Sequence, residues 1–540
     1  MMHSDRERCK MYIRCGKYYM QNSSSVTPGG VFPVAETSSE PLLEFRCAPA
    51  IRPYLENDTS AIFIIDMLIT NSKIAGAVPI SDASKLESGL NVSVSVGGHM
   101  LTSGLVPLNA SKHELNFSLA GLEPQTAPFD VACTAQATDG ETFHAGATLQ
   151  KLPAPTGNGS VTKMDLRTGA MLVQDATGEW DSVFPLGFYT TFDGYLATNL
   201  SILDDLKNRG FTIVHPVPPF DNLTALNEIL DHMEEIGLYL MYDMRFTYMN
   251  STSVTEQVNM IKGRKNLLLW YTGDEPDGTS DPLNATSNSR NLINSLDGGG
   301  YHPVSLVLNC DNYYFTEYTN GTDIVMQDAY PISINATYSV QWHTPVTQDF
   351  GDCGCDNCKG NFGDITLRMD EFAYRLDVLG QSRTKTVWAV PQAFGGSEYW
   401  ARAPTGNEWL VESVISINHG ATGIVPWMDP NPQDIRDAAT VLAKALPTIK
   451  SFLFDPGASF SPVRQGNIDV GLWTSGQRTL LLASNTSNAT VSVSFDIPSG
   501  VHAAQAQEIF GSGNAVQLEN SGKSVKLSLG ALESVGFVLE

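Results

Sequence analysis

The 540-residue chain has no apolar run long enough to cross a membrane; a spanning helix needs roughly 18–20 residues. The nearest stretch, "AIFIIDMLI" from Ala61 to Ile69, is short and carries Asp66, so it reads as a core strand. The first twenty residues, "MMHSDRERCKMYIRCGKYYM", lack the apolar centre of a signal peptide. Basic residues are scarce. Lys and Arg number 33 against 58 Asp and Glu, a formal net charge of −25. Such a surface repels nucleic acid and anionic membranes, and neither is an expected partner. It suits neutral ligands and an acidic medium, where some carboxylates are protonated. No Gly-rich dinucleotide turn follows the first strand of the central region, and no phosphate loop or strong metal signature appears. No cofactor and no metal are therefore expected.

Hydrophobic content of 42% and charged content of 17% describe a globular chain with a sizeable core. Its length calls for two or three domains. N-x-S/T sequons recur throughout, at Asn22, Asn57, Asn91, Asn109, Asn116, Asn158, Asn199, Asn222, Asn250, Asn284, Asn320, Asn335, Asn485 and Asn488. So many of them predict a glycosylated protein, secreted or cell-wall-associated, exported on a leader outside this chain or by another route. Three of the eight cysteines, Cys353, Cys355 and Cys358, cluster in "DCGCDNCKG". With Cys310 they match a metal tetrad or two disulfides pinning one loop, and the sequon-rich setting favours disulfides. Cys47 and Cys133 can close a loop near the N-terminus. Cys9 and Cys15 have no assignment.

Three rhythms divide the chain after an unassigned segment, residues 1–32. Residues 33–155 alternate apolar and polar positions with a period near two, as in "NVSVSV" and "FDVACTAQATD". This predicts an N-terminal β-sandwich. From 163 to 454, apolar strands alternate with amphipathic helices. Eight strands are legible: "FPLGFYTTF", "FTIVHPVPPF", "LYLMYDMRF", "NLLLWYTGDEP", "PVSLVLNCDNYY", "TDIVMQDAYPI", "KTVWAVPQAFGG" and "GATGIVPWMDP". Their number and spacing predict a (β/α)8 barrel. From 455 to 540 the β rhythm returns and predicts a C-terminal sandwich.

A (β/α)8 barrel places its chemistry at the C-terminal strand ends. In strand order these ends carry Tyr189, His215, Asp243 with Arg245, Asp274 with Glu275, Asn309, Asp328 with Tyr330, Gln392 and Trp427. A cup of carboxylates and aromatics suits a sugar: rings stack on the pyranose or furanose, and Asp, Asn and Arg bond its hydroxyls. Glycoside hydrolysis needs two carboxyl groups across the scissile bond. Glu275 follows the apolar "LLLWY", where burial raises a carboxyl, and is the expected acid. Asp274-Glu275-Pro276-Asp277-Gly278 is also a good acidic turn. Glu408 and Glu412 read as a solvated helix face, with Arg402 a partner for Glu408. His419 reads as structural, at a helix C-terminus.

"GDEP" at the end of the fourth strand resembles the Asn-Glu-Pro of clan A, the large clan of (β/α)8-barrel glycoside hydrolases. "PQAFGG…RAPTGNEW…INHGATGIVPW" is similar to a stretch of extracellular, fungal-type barrel proteins related to that clan. The resemblance covers about Phe184 to Trp427 and implies that Glu275 is the acid/base. The clan's nucleophile is a Glu ending the seventh strand, where this chain carries Gln392. The second carboxylate is then Asp328, on a rigid strand end, or Glu398 in "GGSEYW". Otherwise the barrel has lost hydrolysis. The reading is a glycosidase with Glu275 and Asp328 catalytic, and with Tyr189, His215, Asp243, Arg245, Asp274, Asn309, Tyr330, Gln392 and Trp427 lining the sugar subsites. The alternative is a non-catalytic carbohydrate-binding or surface glycoprotein on a degenerate barrel.

Overall fold

The computed structural model describes residues 13–81, 89–138, 140–157, 159–175, 177–498 and 500–540. Cys9 and the Asn158 sequon lie outside the described residues. Eight parallel strands form the central sheet: Tyr189–Thr191, Ile213–Val217, Tyr239–Asp243, Leu267–Asp274, Val304–Leu308, Ile324–Gln327, Thr386–Ala389 and Trp427–Asp429. Strands one to seven follow one another across it, and the eighth pairs with the first. Bridges from Ala389 to Ile424 and from Gln392 to Trp427 join the seventh strand to the eighth, so the sheet curls until its edges meet.

The local causes are ordinary. The fourth strand is buried from Leu267 to Gly273, as a parallel strand covered on both faces must be. The helix Ser201–Arg209 stops at Gly210, whose φ of 95° is left-handed. Asn222 accepts from Ala225 N and starts the helix Leu223–Ile236. Leu226, Ile229, Leu230 and Met233 of that helix are buried at helical spacing. Inside the curl, Met241, Leu269, Tyr271, Val307, Met326, Trp388 and Val425 cluster with Ala48, Ala50, Met164 and Met171. The last two belong to a small antiparallel sheet built from Ile51–Arg52, Lys163–Asp165, Ala170–Gln174 and Trp180–Val183. Arg52 of this sheet pairs with Asp323 at 2.9 Å, beside the start of the sixth strand.

Separate all-β sheets flank the curled one. Before it, Thr37–Pro49 and Ser60–Ser72 belong to one four-stranded antiparallel sheet, and Gly89–Val96 and Phe129–Gln136 to another. Their shared core includes Phe45, Phe63, Ile65, Val94, Val131 and Phe143. The Cys47–Cys133 disulfide ties one sheet to the other, as the sequence suggested. After it, five- and three-stranded sheets enclose Val470, Leu481, Val525, Leu527 and Phe537. His419 links this region to the helices: Nδ1 lies 2.6 Å from Asp370 and Nε2 2.9 Å from Asp469.

Four expectations change. Residues 13–34, unassigned from the sequence, strap the loops that follow strands five and six. In this strap Tyr18 bridges to Phe350, Val26 N donates to Asp349 O, and Tyr314 N donates to Gly30 O. Gly30, at φ +65°, is required there, because a Cβ would sit 2.5 Å from the Tyr314 ring. Cys310 bonds Cys15 of the strap, and so is neither a fourth metal ligand nor part of the local loop pair, which is Cys355–Cys358. Glu412 is not on a solvated face. It is fully buried under the seventh strand and accepts from Gln392 N at 2.9 Å. Glu408 is buried too, in a capping box with Thr405, and pairs with Arg402 as foreseen. Finally, Asn485 is buried and donates to Ala489, Leu529 and Gly530 carbonyls, so it offers no glycan site.

The Cys47–Cys133 bond closes a separation of 86 residues. Replacing both cysteines by serine should cost about 3–5 kcal/mol. The check is the denaturant midpoint of the N-terminal sheets, and an unchanged midpoint would show that their apolar core suffices alone.

Candidate active site

The C-terminal ends of the eight strands gather the polar residues expected there. On one side lies a closed network. His215 Nε2 is 2.8 Å from Asp243 Oδ2. Arg245 donates to both Asp243 oxygens at 2.7 Å, through Nε and its backbone N–H. Arg245 Nη1 reaches on to Asp274 Oδ2 at 2.9 Å, and Tyr271 OH donates to Asp274 Oδ1 at 2.5 Å. Burial alone would raise Asp243, but the Arg245 and His215 partners outweigh it and hold its carboxyl low. Burial keeps His215 below its ordinary value, against the pull of Asp243.

This network orders the aromatic wall. The Arg245 guanidinium lies 4.9 Å from the Trp427 ring centre and 5.1 Å from that of Tyr189. Tyr189 also packs edge-on to Trp427. Tyr189 and His215 are fully buried, whereas Trp427 keeps part of its surface open. The floor is thus built, and Trp427 is its half-buried platform. Arg245 Nη2 is buried with no hydrogen-bond partner among the described residues.

The other side carries the candidate catalytic groups. Glu275 ends the fourth strand with φ +52°, a left-handed backbone that a non-glycine residue adopts at a cost. The turn releases its side chain from the strand direction. The carboxylate contacts Arg14 of the strap, and Asn309 Nδ2 donates to its Oε1 at 3.4 Å. Arg14 Nε donates to Asn309 Oδ1 at 3.3 Å, so the three side chains form a ring. Asp328 is 2% exposed, and its Oδ1 has no hydrogen-bond partner among the described residues. Burial, then the nearby Asp274 charge, pushes its carboxyl up to about 7, against the pull of Arg14 and Arg368.

The remaining positions separate clearly. Gln392 is fully buried, with its amide engaged by Ile332 N and by the Ile332 and Phe394 carbonyls, so it pins the loop after the sixth strand. Glu398 is exposed in its loop. Tyr330 is buried beside Phe394 and Trp400.

Four residues escaped sequence reasoning. Tyr271 looked like one more apolar strand position. Arg368 donates to Asn309 O at 2.7 Å, from a helix whose pattern marked no functional face. Asp277 lay inside the motif and read as a turn residue. It is buried and accepts from the backbone N–H of Gly278, Asn309 and Cys310. Its burial outweighs those bonds and raises it to about 7. Arg14 carried one signal, the unpaired Cys15 beside it.

No protein-family model matches the sequence, and no curated protein does. Solved structures do. A candidate alpha-galactosidase from Bacteroides fragilis is 11% identical over 94% of this chain and 99% of its own, with a TM-score of 0.44. A family 30 endoxylanase from Clostridium papyrosolvens is 11% identical over 67% of this chain and 97% of its own, at 0.41. An alpha-amylase from Geobacillus thermoleovorans is 10% identical over 65% and 93%, at 0.42. These structural neighbours are glycoside hydrolases. At such identities and scores they transfer no activity, and function rests on the residues at the strand ends.

The raised carboxyls give the stability of the fold a definite pH dependence. Folded Asp277 and Asp328 hold protons up to about 7, while the unfolded chain releases them near about 4. More protons are bound in the folded state across that window, so stability falls as pH rises through it. Asp328→Asn removes one contribution. Its unfolding free energy, followed from pH 4 to 7, should fall less steeply than wild type by on the order of 1–3 kcal/mol. Equal slopes would mean that Asp328 is ionised throughout.

Proposed function

We propose that the curled sheet is a (β/α)8 barrel between β-sandwich domains, and that the protein is a glycoside hydrolase. It cleaves an O-glycosidic bond in an extracellular oligo- or polysaccharide. The observation that carries this reading is the pair Glu275 and Asp328. Both stand at strand ends, both feel Arg14, and their environments differ. Two carboxyls driven to opposite charge states are the requirement of the reaction.

The environments also suggest which does what. Glu275 has a guanidinium in contact, which favours the charged carboxylate. Asp328 is buried, has a free Oδ1, and makes no direct ion pair among the described residues. In this reading Asp328 protonates the leaving oxygen. Glu275 attacks the anomeric carbon or activates water, the reverse of the roles expected from the sequence. Trp427 offers the sugar ring an apolar face, and Asn309 and Asp274 its hydroxyl partners. Twelve sequon asparagines are exposed, from Asn22 to Asn488, and disulfides join distant segments. Both features support a secreted or cell-wall glycoprotein.

Leaving-group dependence tests the roles. On a panel of aryl glycosides and on plant or fungal polysaccharides, Glu275→Gln should lose about 10²–10⁴-fold in kcat/KM on every substrate. Asp328→Asn should lose as much on poor leaving groups, yet little on dinitrophenyl glycosides, which need no proton. Gln392, standing where the clan keeps its nucleophile, favours a second reading: a carbohydrate-binding protein without turnover. That reading takes over if both variants match wild type on all substrates while polysaccharide binding persists.

A further inference from the structure

The strap is part of the site. Its hairpin pairs Ile13–Arg14 with Lys17–Tyr18, and five anchors hold the strap. Cys15 is bonded to Cys310, two residues beyond the end of the fifth strand. Lys17 is buried, pairing with Asp356 at 2.5 Å and donating to Asn357 at 2.6 Å. Gly351 N donates to Tyr18 O, and Tyr19 packs edge-on against Trp342. Phe32 enters the main core against Phe315. An occluding lid needs a free surface beneath it, whereas here the side chains under the strap are its own bonding partners.

From these placements we infer that Arg14 is a positioning residue. Mounted by the Cys15–Cys310 bond, it holds the Glu275 side chain charged and turned toward Asn309. The inference rests on the glycosidase reading only for the use to which Glu275 is put. The groups that face Glu275 come from every neighbouring element. Asp274 is on its own strand and Asn309 on the fifth strand's end; beyond them Asp328, on the sixth strand's end, feels Arg14, Asp274 and Arg368 of the helix Gly363–Val378. Asp352 and Tyr399, from the loops after strands six and seven, lie near Arg14. Arg14 is the cation in contact with the Glu275 carboxylate, while Arg245 is held by Asp243 and Asp274, and Arg368 by backbone carbonyls. Arg14 also pulls Asp328 downward. Its removal therefore moves both carboxyls toward higher pH together.

Two measurements decide the matter on the whole chain. In the first, a carbodiimide with glycine ethyl ester labels protonated carboxyls across pH, and peptide mass mapping follows Glu275. Arg14→Gln should raise its half-labelling pH by about one unit or more, and Arg14→Lys should restore it. An unchanged value in Arg14→Gln overturns the inference. In the second, the pH profile of kcat is recorded on whichever aryl glycoside wild type cleaves. In Arg14→Gln the whole profile should move upward, with KM little altered. Cys15→Ser/Cys310→Ser, which keeps Arg14 but frees its mount, should lose about 10-fold or more in kcat. Activity that rises in Arg14→Gln or in the cysteine pair would make the strap an occluding segment and overturn the inference. If wild type cleaves nothing, the glycosidase reading falls, and labelling still decides Arg14.

Discussion

The Asp277 carboxylate accepts three backbone N–H groups, from Gly278, Asn309 and Cys310, deep in the protein. One side chain thereby fixes the end of the fourth strand against the end of the fifth. Glu275 lies two residues before it, already in a left-handed turn. Asn309, the shared neighbour of Glu275 and Arg14, is held by its own backbone N–H. Cys310 is held in the same way, and through its disulfide so is the strap. A buried acceptor with three fixed donors is hard to replace, because each donor left unpaired costs about 1–3 kcal/mol. The geometry of these strand ends follows from this joint.

Charge is distributed against the average of the molecule. The chain as a whole carries −25, yet Arg14, Arg245 and Arg368 all converge on the strand ends. Each answers a particular carboxylate or carbonyl. A ring of acids at these strand ends would repel itself without them, since like charges raise one another's pKa. The arginines divide the acids into two groups. Asp243 is held ionised by its partners, while Asp328 is left to burial. Two chemical states within one acidic cup come from the placement of cations more than from the identity of the acids.

Much of this was legible because it is local. Continuous apolar runs such as "LLLWY" marked the strands, and Gly210 and Gly237 marked helix ends, since periodicity and caps act over a few residues. Glu275 and Asp328 stood out from their place after those runs. What stayed hidden was long-range. Cys15 and Cys310 are 295 residues apart, and only the folded topology brings Arg14 to Glu275. Glu412 has the spacing of an exposed residue with Glu408, but the seventh strand's turn needs an acceptor beneath Gln392 N, and that requirement overrides pattern. Asn485 has a perfect sequon, yet three carbonyls claim its amide.

His419 couples the helical layer to the C-terminal sheets. It stands between Asp370 of one helix and Asp469 of a C-terminal strand, and these partners raise it above its ordinary value despite burial. The joint is complete when the ring is charged, below about 6.5, and loosens as pH climbs past the folded value. Asp469 also receives Asn418 and Arg464, so losing the imidazolium charge weakens this seam without opening it. The C-terminal sheets are thereby fastened most firmly in acid surroundings and become more independent of the curled sheet and its helices as the medium turns neutral.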